Sequence, residues 1–260
     1  MGTLFIIATP IGNLGDISAR ALEILGQADM IACEDTRHTL KLLNYFGIHR
    51  PLTSYHEFNE EEKAAELFRK IETGTNVALV SDAGTPAVSD PGYRLIRLCR
   101  QKGITVVAIP GPSAAITALS ASGLPSNEFM FVGFLPSKKS ARREKVNALK
   151  NLSCTMVFYE APHRIAETLE DLREILGDRE VCVARELTKI HEEYLFGCLS
   201  EVKGRVKPLG EFVVVVAGGV EQMEESVDLS ALSRKEALKA IADKLRISRN
   251  DLYDLLFKKE

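Results

Sequence analysis

The chain has 260 residues, of which 45% are hydrophobic and 27% charged, and its formal net charge at pH 7 is −3. This is ordinary globular usage, which argues against an extended disordered chain and against a membrane protein. Because the net charge is negative, any nucleic acid must be bound by local basic patches. The longest apolar run, 212–217, is too short to cross a bilayer, and the N-terminus lacks the basic start of a signal peptide, which predicts a cytoplasmic location.

Short apolar runs alternate with longer amphipathic segments over the first half of the chain, a pattern typical of strands connected by helices. The strands predicted here are 3–8, 30–33, 76–81 and 104–109, and the helices are 17–27, 39–46, 59–73, 91–102 and 113–121. Crossover helices connect parallel strands, so we expect a parallel, doubly wound sheet in a first α/β domain over 1–122.

Strands follow one another more closely in the second half. They are predicted at 128–134, 155–160, 181–185, 193–199 and 212–217, with helices at 137–149 and 165–176. The segment between 181–185 and 193–199 is too short for a crossover helix, so a second domain over 123–220 is expected to hold a mixed sheet. An acidic linker and two helices that open with serines, 233–245 and 248–258, predict a small helix-turn-helix-like appendage over 221–260.

Turn-forming residues fill the loops after three strands of the first sheet, at 9–16, 82–92 and 110–115. Ligands bind beyond the carboxyl ends of parallel strands, so these loops together predict a pocket. Each loop alone is equally consistent with a tight turn, and Asp82 either contacts a ligand or forms an Asx turn. The first loop does not match the dinucleotide fingerprint, which gives no support for NAD or FAD.

Charged residues follow other strands. Glu34 and Arg37 are expected at the same edge as the loops, where Asp35 or Thr36 also serves as a helix cap. The segments 158–164 and 185–193 combine charged and hydrogen-bonding residues that suit substrate orientation and proton transfer, although surface solvation is the simpler alternative. No histidines have metal-ligand spacing, so no metal site is predicted.

Five ordered motifs resemble the tetrapyrrole methylase superfamily, and within it the branch that methylates small-subunit ribosomal RNA. They are TPIGNLGD at 9–16, EDTR at 34–37, SDAGTP at 81–86, IPGPS at 109–113 and ELTK at 186–189. The resemblance covers nearly the whole chain. It implies a homodimer of two-domain subunits that binds S-adenosylmethionine between the domains. The implied reaction is 2′-O-methylation of a cytidine ribose in the decoding region, either in free RNA or in the assembled small ribosomal subunit.

The resemblance also implies a set of cofactor-binding residues. From the first domain these are Pro10, Leu14, Asp82, Thr85, Ser113 and Ala114, and from the second they are Tyr159, Glu160, Ala184 and Ala217. One motif departs from the superfamily pattern, because the usual Gly-Asp-Pro is here Ser81-Asp82-Ala83, with Pro86 displaced. This departure favours the RNA-modifying branch.

Methyl transfer to a hydroxyl requires alignment of the reacting atoms and removal of a proton. The candidates for catalysis, which the sequence does not rank, are Glu34, Glu160, His163, Glu186 and Lys189. The candidates for holding RNA are Arg37, Arg164, Lys189 and Arg249. Basic residues of the terminal helices either clamp RNA or pack against the protein. Two alternatives remain open: a methyltransferase of a porphyrin precursor, and a noncatalytic nucleic-acid-binding module.

Overall fold

The computed structural model describes residues 1–219, 233–244, 248 and 252. The chain divides into two compact units, Met1–Gly218 and Gly219–Glu260. The first unit contains two five-stranded sheets. Within the described ranges, no helix combines the length and the apolar character needed to span a bilayer.

The first sheet is entirely parallel. Its strands are β1 (Thr3–Ile7), β2 (Met30–Cys33), β3 (Leu52–Ser54), β4 (Val77–Leu79) and β5 (Thr105–Ile109). They lie in the order β3-β2-β4-β1-β5, and all four pairings are parallel. The connecting helices are α1 (Ala19–Gln27), α2 (Thr36–Tyr45), α3 (Glu60–Glu72), α4 (Tyr93–Gln101) and α5 (Ala114–Ala121). A 3₁₀ turn over Leu14–Asp16 precedes α1.

Helices cover both faces of this sheet. Leu25 of α1 and Leu43 of α2 pack with Ile31 on one face. Leu67 of α3 and Leu95 of α4 belong to the core on the other face. The predicted doubly wound parallel sheet is therefore confirmed, and the carboxyl ends of its strands share one edge.

The second sheet is mixed. Its strands are β6 (Phe129–Phe134), β7 (Thr155–Glu160), β8 (Glu180–Arg185), β9 (Glu193–Cys198) and β10 (Phe212–Val216). In the order β6-β7-β10-β8-β9, β6 and β7 pair in parallel and the other pairings are antiparallel. The mixed sheet expected from the sequence is confirmed. Its helices are α6 (Lys139–Ala148), α7 (Ile165–Leu176) and α8 (Leu199–Lys203).

Helix α5 joins the two halves, although it follows a strand of the first sheet. Its buried residues Ala115, Ala118 and Leu119 pack against Val157 and Val213 of the second sheet. The opposite face of that sheet is covered by α6, α7 and α8. As a result, the N-terminal end of α5 lies where the two sheets meet.

Two short elements were not predicted from the sequence. Strand β3 has only three residues, all half-buried, and α8 has only five, so neither forms a periodic pattern long enough to recognise. In the second unit, α9 (Arg234–Lys244) agrees with the helix predicted at 233–245. Most of the helix predicted at 248–258, including Arg249, lies outside the described residues.

Candidate active site

The loop between β4 and α4 is held in backbone conformations that side chains rarely adopt. Ala87 and Ser89 both have φ of 65°, in the left-handed region. Gly92 has φ of 149°, and a Cβ on it would come within 3.0 Å of the Ala87 Cβ. Left-handed backbone costs roughly 1–2 kcal/mol for a residue other than glycine, and such strain concentrates at functional sites.

The same kind of strain occurs in the loop after β8. Glu186 has φ of 52° and Thr188 has φ of 66°. With Ala87 and Ser89, these are the only non-glycine residues with positive φ in the part of the chain that the structure describes. The strain is thus confined to two loops, one from each half of the first unit.

The first loop of the chain packs tightly on the second of these strained loops. A Cβ added to Gly12 would lie 2.5 Å from the Lys189 Cγ, 2.8 Å from the Thr188 Oγ1 and 2.9 Å from the Leu187 carbonyl oxygen. The first loop is also tied to the loop after β4, because Thr9 and Gly84 exchange backbone hydrogen bonds of 2.9 and 3.0 Å. The three loops therefore form one connected structure at the edge of the first sheet.

Hydrogen bonds connect Glu186, Lys189 and Glu211 at the base of the strained loop after β8. The Glu186 carboxylate accepts hydrogen bonds from the Lys189 ammonium at 2.8 Å and from the Glu211 backbone N–H at 3.0 Å. Lys189 also donates to the Glu211 carboxylate at 3.0 Å. Burial alone would lower the pKa of Lys189, but its hydrogen bonds to the two carboxylates outweigh burial and raise that pKa. Lys189 is therefore a cation at neutral pH.

Three further carboxylates, Glu34, Asp82 and Asp90, influence one another beside β2 and β4. Asp82 accepts a hydrogen bond from the Asp35 backbone N–H at 3.0 Å. Burial and the charges of Glu34 and Asp82 raise the pKa of Asp90 to about 7, against a weaker lowering by a hydrogen bond with Ser81. Burial and the charge of Asp82 also raise the pKa of Glu34. This cluster holds like charges close together.

A first cavity, of about 270 Å³, lies between α5 and the second sheet. Its lining includes five of the predicted cofactor residues: Thr85, Ser113, Ala114, Tyr159 and Glu160. Most of the remaining wall is apolar, with Ile11, Phe134 and Leu187 among its residues. Of the described residues that line this cavity, only Glu160 and Glu211 carry charge.

A second cavity, of about 370 Å³, adjoins the first and shares Ile11 and Glu211 with it. It contains the other three predicted cofactor residues of the first domain: Pro10, Leu14 and Asp82. One face of α2 supplies His38, Lys41, Leu42 and Tyr45, and the strained loop supplies Lys189. This cavity therefore carries more basic side chains than the first.

The Glu160 carboxylate is fully engaged by its neighbours. One oxygen accepts from the Arg164 guanidinium, at 2.6 and 2.8 Å, and from the Ala161 backbone N–H at 2.7 Å. The other accepts from the Thr168 hydroxyl at 2.6 Å. Arg164 also donates to the Leu135 carbonyl oxygen. Both charged side chains thus fix the start of α7 and have little capacity left for a substrate.

Several predicted site residues lie away from both cavities. Ala184 is buried and Ala217 half-buried in the core around α5. His163 is exposed and lines neither cavity. Arg37, whose side chain is 88% exposed, pairs with Asp35, the N-cap of α2.

Four residues of this region were not predicted from the sequence: Lys41, Tyr45, Asp90 and Glu211. Lys41 and Tyr45 lie four residues apart, the spacing that places both on one helix face, so this signal was available. Asp90 and Glu211 gain their surroundings only when distant parts of the chain meet. Among the described residues, no group of His, Cys, Asp and Glu side chains is arranged to hold a metal ion.

Comparison with protein-family models gives a match over residues 3–203 to the tetrapyrrole (corrin/porphyrin) methylases. This chain belongs to that family. Two curated relatives, both named ribosomal RNA small subunit methyltransferase I, agree with the branch that the loop motifs predict. The one from Halalkalibacterium halodurans is 45% identical, and the alignment covers 98% of this chain and 94% of the relative. The one from Xylella fastidiosa is 52% identical, with 85% and 83% covered.

A solved structure of another methylase shares the fold. It is uroporphyrin-III C-methyl transferase from Thermus thermophilus complexed with S-adenyl homocysteine. The TM-score is 0.57 at 19% sequence identity, and the match covers 84% of this chain and 97% of the other. At this level of identity the likeness supports the two-sheet fold of the methylase family.

Replacing Gly12 by alanine tests the contact between the loops. The new Cβ has no room beside the Leu187 backbone, so Gly12→Ala should lower the free energy of unfolding by about 1–3 kcal/mol in urea titrations. Gly26 in α1 is the control, because a Cβ there meets nothing within 4 Å. Gly26→Ala should raise stability by roughly 0.5–1 kcal/mol. Equal effects at the two glycines would contradict the close packing.

Replacing Asp90 by asparagine tests the carboxylate cluster. Since the native pKa of about 7 lies above the unfolded value, native Asp90 binds more protons than unfolded Asp90 between these pH values. Wild-type stability contributed by this group therefore falls as pH rises through that window. Asp90→Asn lacks this titrating carboxyl and therefore does not lose stability in this way. The free energy of unfolding of Asp90→Asn minus that of wild type should therefore increase as pH rises from about 4 to about 8.

Asp178 provides the control, because its substitution should change stability with pH in the opposite direction. Hydrogen bonds from Ser200 lower the pKa of Asp178, so Asp178 contributes stability that is present at neutral pH and lost in acid. Asp178→Asn should therefore become less stable relative to wild type as pH rises. An Asp90→Asn difference that did not change with pH would contradict the raised pKa.

Proposed function

We propose that this protein transfers a methyl group from S-adenosylmethionine to the ribose 2′-oxygen of a cytidine in small-subunit ribosomal RNA. The observation that carries the proposal is the pair of adjoining cavities, of which the second adds basic side chains and the exposed Tyr45 ring. They meet at Ile11 and Glu211, so ligands in the two cavities would be in contact. A donor and an acceptor can thus be bound next to each other.

The first cavity fits S-adenosylmethionine by its chemistry. Thr85, Ser113 and Tyr159 offer hydroxyl groups within an otherwise apolar wall, which suits a nucleoside with a few polar edges. Its two charged lining residues, Glu160 and Glu211, are each paired with a cation, so the wall that meets the nucleoside is largely apolar. The Thr85 hydroxyl already donates to the Pro112 carbonyl oxygen at 3.2 Å, which links the loops after β4 and β5 around this wall.

The second cavity fits a nucleotide. Tyr45 is 67% exposed and offers a ring on which a base can stack. Lys41 forms no ion pair with any carboxylate among the described residues, so its charge is available for a phosphate. Arg37, one turn earlier on α2, pairs with Asp35 but is 88% exposed, whereas Arg164 is only 14% exposed in its pair with Glu160.

The relatives support an RNA acceptor over a porphyrin precursor. Those that match over most of the chain carry the name ribosomal RNA small subunit methyltransferase I, whereas the tetrapyrrole methylase of known structure is similar at 19% identity. The noncatalytic alternative is disfavoured because these relatives are named methyltransferases. The position of the methyl group on a cytidine 2′-oxygen rests on the motif resemblance.

When bound, S-adenosylmethionine supplies a methyl group on a positively charged sulfur. The residues of the chain orient the acceptor hydroxyl, exclude water and accept its proton. Of the candidates for catalysis, Lys189 lies in the second cavity, Glu186 orients Lys189, and Glu160 serves to fix α7. Glu34 lies beside Asp82, and His163 is exposed to solvent.

The wider assembly belongs to the same proposal. We infer a cytoplasmic homodimer with three parts, 1–122, 123–220 and 221–260, that acts on free RNA or on the assembled small subunit. The composition supports the location, and the motif resemblance supports the dimer. The third part, with Arg249 outside the described residues, is proposed to contact RNA.

A labelling assay tests the function. The protein is incubated with methyl-labelled S-adenosylmethionine and, in parallel, with small ribosomal subunits, free small-subunit RNA or a porphyrin precursor. We expect label in RNA, and nuclease digestion should release it as 2′-O-methylcytidine. Label in the porphyrin precursor, or on a base instead of a ribose, would contradict the proposal.

A further inference from the structure

Glu211 lies at the boundary between the two cavities. It lines both cavities, and of the described residues that do so it is the one with a titratable side chain. It directly precedes β10, so its position is set by a strand in the core of the second sheet. A proton acceptor for transfer between the two cavities is needed at this boundary.

The backbone of Glu211 is fixed by Glu186. The Glu186 N–H donates to the Glu211 carbonyl oxygen at 3.0 Å, and the Glu211 N–H donates to the Glu186 carboxylate at 3.0 Å. The missing side chain of Gly210 leaves the space for this arrangement, because a Cβ there would lie 2.5 Å from the Glu186 Cδ. Glu186 is therefore a positioning residue, with its carboxylate directed at Lys189 and at the Glu211 backbone.

The Glu211 carboxylate is accessible to a ligand. It is 80% exposed, and its contact is with Lys189, which reaches it at 3.0 Å. Other carboxylates that line the cavities are less suited to accept a proton. Both Glu160 oxygens are occupied by hydrogen bonds, and Asp82 lines only the second cavity and holds the Asp35 N–H.

We propose that Glu211 is the base that removes the proton of the acceptor hydroxyl, and that Lys189 stabilises the negative charge that develops on that oxygen. This inference rests on the proposed function. The O–H bond breaks and its proton passes to the Glu211 carboxylate. The oxygen uses the freed electron pair to form the new O–CH₃ bond, while the S–CH₃ bond breaks and its electron pair stays on the sulfur. The protonated carboxyl then releases its proton to water.

Replacing Glu211 by glutamine tests the role of the carboxylate. Glu211→Gln keeps the size of the side chain, so kcat should fall by about 10²–10⁴-fold while KM for RNA and the Kd for S-adenosylmethionine stay within about twofold. The control is Glu128→Gln, since Glu128 is exposed, lines neither cavity and should leave kcat unchanged.

A measurement without cofactor or RNA tests the Glu211–Lys189 pair itself. In the free protein, NMR titration of the Lys189 side chain should show a lower pKa in Glu211→Gln than in wild type, because one of its two carboxylate partners is lost. Glu128→Gln should leave the Lys189 pKa unchanged. If the Lys189 pKa were the same in wild type and in Glu211→Gln, the ion pair between Glu211 and Lys189 would be contradicted, and the inference with it.

Two outcomes of the kinetic assay separate this inference from the proposed function. If wild type methylates RNA and Glu211→Gln retains a kcat within about threefold, Glu211 is not the base and only the inference falls. If Glu211→Gln loses cofactor affinity and kcat by equal factors, the residue acts in binding, which also overturns the inference. If wild type labels no ribosomal acceptor, the proposed function fails and the inference fails with it.

Discussion

The Leu187 carbonyl oxygen and the side chains of Thr188 and Lys189 approach Gly12 so closely that no side chain fits between them. This contact joins the first loop of the parallel sheet to a strained loop of the mixed sheet. Lys189 is placed in the second cavity by the same packing, and Leu187 in the wall of the first. The position of each cavity therefore depends on how the two sheets meet, and α5 maintains that arrangement by packing against the second sheet.

The two cavities differ in the charged side chains that line them. The first cavity has a mostly apolar wall with a few hydroxyl groups and suits a nucleoside. The second carries Lys41, Lys189 and the Tyr45 ring, which suit a phosphate and a base. Glu211 and Lys189 lie where these environments meet, so a proton and a developing negative charge can both be accommodated at the point of transfer.

The sequence predicted the elements whose signal is local, namely the apolar strands, the amphipathic helices and the turn-rich loops after β1, β4 and β5. The family resemblance implied ten cofactor residues, and the structure gathers eight of them in the two cavities. The other two, Ala184 and Ala217, lie in the core around α5. Asp90 and Glu211 were missed because their surroundings come from segments far away in the chain. Neither a local motif nor a periodicity records such a contact.

A crystal structure of the protein with S-adenosylhomocysteine tests this account most directly. The account predicts the adenosyl group in the first cavity, in contact with Thr85, Ser113 and Tyr159, with the sulfur directed toward Glu211 and the second cavity open beside it. A ligand bound in the second cavity, or one whose sulfur points away from Glu211, would contradict it.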